Sequence, residues 1–126
     1  ASKVVKLMIA KGIHVKGAKV LILGVTFKED CPDTRNSKVI DVYQELKEYG
    51  LTVDLFDPWV NSKLSPSGVE VEMLPHLDVK DTYDAVILAV AHREFLGLNI
   101  KELIKQNAVV YDVKGCLDRT LVDARL

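Results

Sequence analysis

Cysteine is scarce. Cys31 and Cys116 are the only two in 126 residues, too few and too far apart for a disulfide framework or a CxxC metal pair. Both read as free thiols, as suits a reducing compartment. An excess of one charge is missing too: seventeen Lys and Arg against eighteen Asp and Glu leave a net charge of −1. The whole-molecule field therefore draws neither nucleic acid nor an anionic membrane, and any anion must be held by a local site. No apolar run approaches the roughly 20 residues that span a bilayer, and Lys3, Lys6 and Lys11 interrupt any signal-peptide core. A cytoplasmic protein with no nucleic-acid or membrane partner is expected. Repeats and low-complexity tracts are absent as well. So is the full glycine fingerprint, because Gly24-Val25-Thr26-Phe27 lacks the second and third glycines of G-x-G-x-x-G.

What remains is ordinary globular material, 48% hydrophobic and 28% charged. A chain of this length makes one domain that buries roughly two-thirds of its unfolded surface. Ser2 to Gly12 has helical apolar spacing and a glycine at its end. Ala18 to Gly24 is a β-branched and leucine run of the kind covered on both faces. Ser37 is a candidate N-cap for a helix whose apolar positions run from Val39 to Leu46 and which Gly50 stops. Leu51 to Phe56 then reads as a strand closed by Asp57-Pro58, completing a βαβ unit.

Further on, Val69 to Val71 alternates like a short edge strand, and Pro75 to Lys80 suits a short helix. Asp84 to Val90 is another apolar strand, with a helical turn from Ala91 to Phe95 and a helix marked by Ile100, Leu103 and Ile104. Ala108 to Asp112 is the last strand, and a short tail follows. Four strands alternating with helices predict an α/β fold: a Rossmann-like open, mainly parallel sheet with helices on both faces, in three α/β/α layers.

In such a sheet the ligand crevice lies outside the carboxyl ends of the strands. The loops there, Val25 to Asn36, Asp57 to Ser62, Ala91 to Phe95 and Val113 to Arg119, contribute Lys28, Arg35, Asp57, Trp59, His92, Arg93, Lys114 and Arg119. With the glycine fingerprint incomplete, side-chain cations have to supply the attraction for phosphate, and an arginine fork grips phosphate oxygens bidentately. Each residue also has a plainer reading. Arg35 suits an ion pair with Asp33 as well as a ligand grip, and Lys114-Gly115 suits a solvated turn as well as a phosphate site. Cys31 near a helix start has a nucleophile's position, but Glu29, Asp30 and Asp33 disfavour its thiolate. His92 is a general-base candidate, or a residue that caps a helix start or pairs with Glu94. Trp59 either stacks on a base or covers the sheet edge or an interface.

Three stretches in order carry a specific likeness. They are Val20-Leu21-Ile22-Leu23-Gly24-Val25-Thr26-Phe27-Lys28, Asp33-Thr34-Arg35-Asn36-Ser37, and Val53-Asp54-Leu55-Phe56-Asp57-Pro58. The chain resembles the C-terminal domain of the UDP-glucose/GDP-mannose dehydrogenase family. The likeness continues through Ala89 to Phe95 and Tyr111 to Gly115, which look closer to the branch that oxidises UDP-N-acetylhexosamines for capsule and O-antigen synthesis.

The resemblance implies an NAD-dependent enzyme that oxidises the sugar C6 alcohol to a carboxylate in two steps through a thiohemiacetal on a cysteine. Such enzymes have an N-terminal Rossmann domain for NAD, a central helical region with the dimer contact, and a C-terminal UDP-binding domain. By this likeness residues 1–16 are the end of the connecting helical region and residues 17–126 the UDP-sugar-binding domain. It implies Lys28 at the substrate nucleotide with Phe27 shaping the pocket, and Arg35 reaching the NAD pyrophosphate, with Asp33 and Ser37 organising the loop. The family's arginine after the last strand corresponds by position to Lys114, with Arg125 of Asp123-Ala124-Arg125 as the alternative. No catalytic residue and no metal site is expected here, because the catalytic cysteine and its supporting lysine belong to the other domains. Turnover by this piece alone is not expected, and the parent is expected to be a homodimer or larger. A second reading is a standalone α/β nucleotide-binding or regulatory module, in which Asp57 stands as a phosphorylatable aspartate.

Overall fold

The structure, a computed structural model, describes residues 2–25, 38–59, 63–64, 71–77, 80–115, 117 and 122–125. Helix α1 (Ser2–Ala10) leads into strand β1 (Lys19–Leu23), helix α2 (Val39–Glu48) and strand β2 (Thr52–Phe56). The short strands β3 (Lys63–Leu64) and β4 (Val71–Glu72) come next, followed by β5 (Tyr83–Leu88) and the one-turn helices α3 (Arg93–Leu96) and α4 (Ile100–Leu103). Strands β6 (Ile104–Asp112) and β7 (Ala124–Arg125) complete the chain. The main sheet has the order β2-β1-β5-β6-β7, and each neighbouring pair is parallel. The chain therefore leaves β1 to one side for β2 and later returns to its other side with β5. In open α/β sheets such a reversal marks where the ligand crevice lies, here at the carboxyl ends of β1 and β5.

The unbroken apolar run of β1 is explained by its neighbours on both faces. Val20, Leu21, Ile22 and Leu23 are all fully buried. Val20 and Ile22 join Val4, Val5 and Met8 of α1 and Ile40 and Leu46 of α2 on one face, while Leu21 and Leu23 join Phe95, Ile100 and Leu103 of α3 and α4 on the other. Each such side chain contributes about 1.5–3 kcal/mol by leaving water. This is the expected layered arrangement, with helices on both sides of a parallel sheet.

Several boundaries differ from the sequence expectation. The N-cap of α2 is Lys38, with no side-chain cap bond; Ser37 lies outside the described residues. Pro75 to Leu77 and Lys80 are not helical. The stretch before them is instead drawn along β2, with the Leu74 N–H donating to the Leu55 carbonyl at 2.8 Å. Val71 pairs with Leu64 in a separate antiparallel two-stranded sheet, so this segment is not an edge of the main sheet. Ile104 belongs to β6 and not to the helix before it. Its partner is Tyr83, whereas Ala85 pairs with Val109, so exposed Lys105, Gln106 and Asn107 form an irregularity in the ladder. The tail contributes a fifth strand, β7, whose two residues are too short to show a period.

That irregularity turns Tyr83 toward the α3/α4 face, where it is 1% exposed. Its hydroxyl donates to Asp54 Oδ2 of β2 at 2.8 Å, and burial, reinforced by that carboxylate, pushes the phenol pKa upward. A raised folded-state value stabilises the protein fully below the unfolded tyrosine pKa of about 10 and less and less above it. In that alkaline window the unfolded chain binds fewer protons than the native one, so stability falls as pH rises. Urea midpoints measured at pH 8 and pH 11 are expected to fall more steeply for the native chain than for Tyr83→Phe. Parallel declines would remove this residue from the alkaline response.

Candidate functional site

Among the described residues, the carboxyl end of the sheet is organised around two buried carboxylates. Asp57, directly after β2, is 3% exposed. Its Oδ2 accepts the Val25 N–H at 2.8 Å and lies 2.9 Å from His92 Nε2, while Oδ1 accepts the Trp59 N–H at 2.8 Å. One side chain thereby ties the ends of β1, β2 and β5 together at the switch point. The Asp-Pro pair suits this place because the aspartate bonds the backbone two residues on and the proline ends the strand.

Gly24 makes the close approach possible. Its φ is +96°, and its N–H donates to the Phe56 carbonyl at 2.9 Å. A Cβ there would lie 2.6 Å from Val90 Cβ and 2.9 Å from the Val90 nitrogen. The lone glycine of the incomplete fingerprint is thus required by contact between β1 and the segment leaving β5.

His92 occupies the N-cap position of α3, without a side-chain cap bond. Its ring is fully buried, stacked with Trp59 at 5.9 Å between centroids and tilted against Phe95 at 5.5 Å. The expected partner, Glu94, instead accepts the Trp59 indole N–H at 3.0 Å, and the Arg93 guanidinium lies over the Trp59 ring at 5.5 Å. A general base must reach the proton that it removes. A ring without exposed surface, held by a buried carboxylate, works as a structural tie instead. Trp59 covers that tie. Asp57 is likewise unsuited to phosphorylation, since both of its oxygens are engaged and it is nearly inaccessible.

Asp112 is the second carboxylate, fully buried at the end of β6. It accepts the N–H groups of Lys114, Gly115 and Leu117 at 3.1, 2.8 and 2.7 Å. This folds the following turn back on the strand end, with Gly115 at φ +67°. Lys114 is exposed on that turn. Arg125, its alternative, belongs to β7 and has Asp112 as its register partner. The two candidate cations of the C-terminal segment therefore start from the same end of the same two strands. Phe27, Lys28, Arg35, Cys31, Cys116 and Arg119 lie outside the described residues.

Asp112 had no expected role, although an aspartate two residues before a lysine-glycine pair at a strand end is a turn signal. It named Asp57 and His92 separately. Thirty-five positions separate them, and no local pattern joins them.

Two open depressions lie elsewhere. One of about 530 Å³ runs along α2 beside Asp41, Glu45 and Glu48, and one of about 380 Å³ lies by His14, Lys16, Asp84 and Lys105. The first is acidic and repels an anionic ligand; the second is at the opposite end of the strands, near the start of β1. No helix among the described residues is long and apolar enough to cross a membrane.

Known proteins resemble this chain throughout its length. The UDP binding domain of the UDP-glucose/GDP-mannose dehydrogenase family matches residues 21–119. The UDP-N-acetyl-D-glucosamine 6-dehydrogenase of Pseudomonas aeruginosa is 46% identical over 99% of the chain, which corresponds to 30% of that enzyme. The enzyme of the same description from Salmonella typhi is 44% identical over 100% of the chain and 30% of its own length. The UDP-D-ManNAc dehydrogenase structure from Pyrococcus horikoshii superposes with a TM-score of 0.75 at 20% identity, covering 98% of this chain and 29% of that one; at that identity the likeness supports the fold. The chain thus spans about 30% of the length of these relatives.

Proposed function

The chain belongs to the UDP-glucose/GDP-mannose dehydrogenase family, and from that premise we propose that it is the UDP-sugar-binding part of an NAD-dependent UDP-N-acetylhexosamine 6-dehydrogenase. The match over residues 21–119 carries the UDP-binding part of this reading, since it takes in the carboxyl ends of β1, β2, β5 and β6 together, and the 46% and 44% identical relatives support the branch. In the parent enzyme the sugar C6 alcohol is oxidised to a carboxylate in the cytoplasm, for capsule or O-antigen polysaccharide. Residues 1–16 form the end of the connecting helical region and residues 17–126 the nucleotide-sugar domain. The parent works as a homodimer or larger assembly.

Lys28 binds the substrate nucleotide, with Phe27 shaping its pocket. A cation at the end of the last strands, Lys114 or Arg125, supplies a second attraction. Two positive groups from separate segments suit a diphosphate, whose charge neither neutralises alone. Arg35 is the residue that reaches an NAD pyrophosphate held mainly by another domain. Among the described residues at the end of β1, the Gly24 N–H goes to Phe56 and the Val25 N–H to Asp57, so neither of these two donors is free for a pyrophosphate. Without the nucleophile and the hydride acceptor in one geometry, the chain alone is not expected to turn over.

Calorimetric titration of UDP and UDP-N-acetylglucosamine into the 126-residue chain tests the proposal. Both are expected to bind, and Lys28→Ala is expected to weaken both by about tenfold, the effect of one charge-assisted hydrogen bond. NAD with a UDP-sugar is expected to give no NADH. Heat from a divalent metal with a phosphodonor, and none from UDP, would favour the regulatory module instead.

A further inference from the structure

Strand β7 has only two residues, and a ladder that short does not hold itself in place. Asp123, immediately before it, supplies the anchorage. Its N–H donates to the Val110 carbonyl at 2.8 Å, and its Oδ2 accepts the Val110 N–H at 2.7 Å. A single residue thus takes both backbone polar groups of Val110, which is 2% exposed and would otherwise leave them unsatisfied. The other carboxylate oxygen, Oδ1, pairs with Lys11 Nζ at 2.5 Å. Lys11 lies just past the end of α1, and its ammonium also donates to the Ala108 carbonyl at 2.6 Å. Its own carbonyl accepts from Asn107 Nδ2 at 2.9 Å.

The Lys11 and Asp123 side chains are 34% and 25% exposed, so the pair is partly shielded and held by further hydrogen bonds at each end. That distinguishes it from a solvated surface pair, whose contribution is often negligible. Two residues beyond Asp123 is Arg125, in register with Asp112 at the carboxyl end of the sheet.

We infer that Lys11 and Asp123 are positioning residues for the nucleotide-sugar site. Asp123 sets the backbone place of Arg125, and Lys11 holds the Asp123 carboxylate in the orientation that Val110 requires. Residues at the two ends of the chain thereby fix one cation of the binding site, and α1 becomes part of its support. This inference rests on the proposed reading that a cation at the end of the last strands contacts the nucleotide sugar, and takes Arg125 rather than Lys114 as that cation.

Two measurements separate the inference from that reading. The first is amide hydrogen exchange in the 126-residue chain without ligand. Lys11→Met, which keeps the aliphatic stem, and Asp123→Asn are each expected to speed exchange at Val110 and Arg125 by about fivefold or more, with the central β1 amides unchanged. Unchanged exchange at Val110 and Arg125 overturns the inference whether or not UDP binds. The second is UDP titration. Lys11→Met is expected to weaken UDP by about two- to fivefold, the range of a partly exposed pair. In an Arg125→Ala background it is expected to have no further effect. A purely structural role would lower affinity equally in both backgrounds, and that outcome also overturns it. Absence of UDP binding by the unmodified chain counts against the proposed function, and the exchange result then decides the inference alone.

Discussion

Gly24→Ala is expected to destabilise the chain by about 3–5 kcal/mol, combining backbone strain at positive φ with overpacking. A φ of +96° is a conformation that L side chains rarely adopt. The added methyl would also sit 2.6 Å from Val90 Cβ and 2.9 Å from its backbone nitrogen. The nitrogen is the harder obstacle. It belongs to the segment leaving β5, which is bonded to the Leu23 carbonyl at 3.3 Å, so relief requires β1 and β5 to part at their carboxyl ends. Total stabilities of small domains are about 5–15 kcal/mol, and such a loss removes a large share. Urea unfolding reads it as a lowered midpoint at unchanged slope. A midpoint within experimental error of the native chain would mean that the strands part there at little cost. At Gly12 and Gly17, where a Cβ meets nothing within 4 Å, only the strain term applies and alanine is expected to cost about 1–2 kcal/mol.

Asp57→Ala is the second large effect, expected to cost about 3–5 kcal/mol, comparable with breaking a buried pair. Among the described residues the carboxylate meets the His92 ring and accepts two backbone N–H groups, those of Val25 and Trp59. Where both partners of a buried pair are side chains, replacing the two with apolar groups can restore stability. Here that remedy fails, because no second substitution removes the Val25 and Trp59 donors. Asp57→Ala with His92→Phe is therefore expected to remain nearly as unstable as Asp57→Ala alone. Asp57→Asn, which retains one acceptor oxygen and much of the shape, is expected to lose only about 1–3 kcal/mol. Recovery of most of the stability in the Asp57→Ala/His92→Phe protein would show that the backbone donors find other partners.

These two residues also mark what the sequence discloses and what it leaves hidden. The apolar runs around Val20 to Leu23, Ala85 to Leu88 and Ala108 to Val110 are long enough to read as strands covered on both faces, and burial on both sides of the sheet follows from them. Helix α2 was legible through its spacing and through Gly50, which adopts φ +86°. The sites of polar organisation were not legible in the same way. Asp57 and His92 look like separate loop residues until the strand order brings them together, and Glu94 was the nearer partner in sequence. Strands β3, β4 and β7 have two residues each, too few for any period. Their places depend on individual hydrogen bonds, such as those of Asp123 to Val110, rather than on a hydrophobic pattern. The candidate cations were named from motif and resemblance, and the fold adds that Lys114 and Arg125 share one strand end.

The slight strand β7 has another consequence, which concerns solubility. Residues Ala108 to Tyr111 of β6 form an apolar, β-branched stretch, and an uncovered flank of this kind is a template for pairing with other chains. Asp123 occupies the outer backbone groups of Val110, Ala124 and Arg125 pair beside Tyr111 and Asp112, and the Lys11 ammonium takes the Ala108 carbonyl. A few tail residues and one lysine thus protect the sheet from edge-to-edge association. Removing residues 122–126 would leave the fold's core contacts largely in place and convert this flank into a surface prone to aggregation.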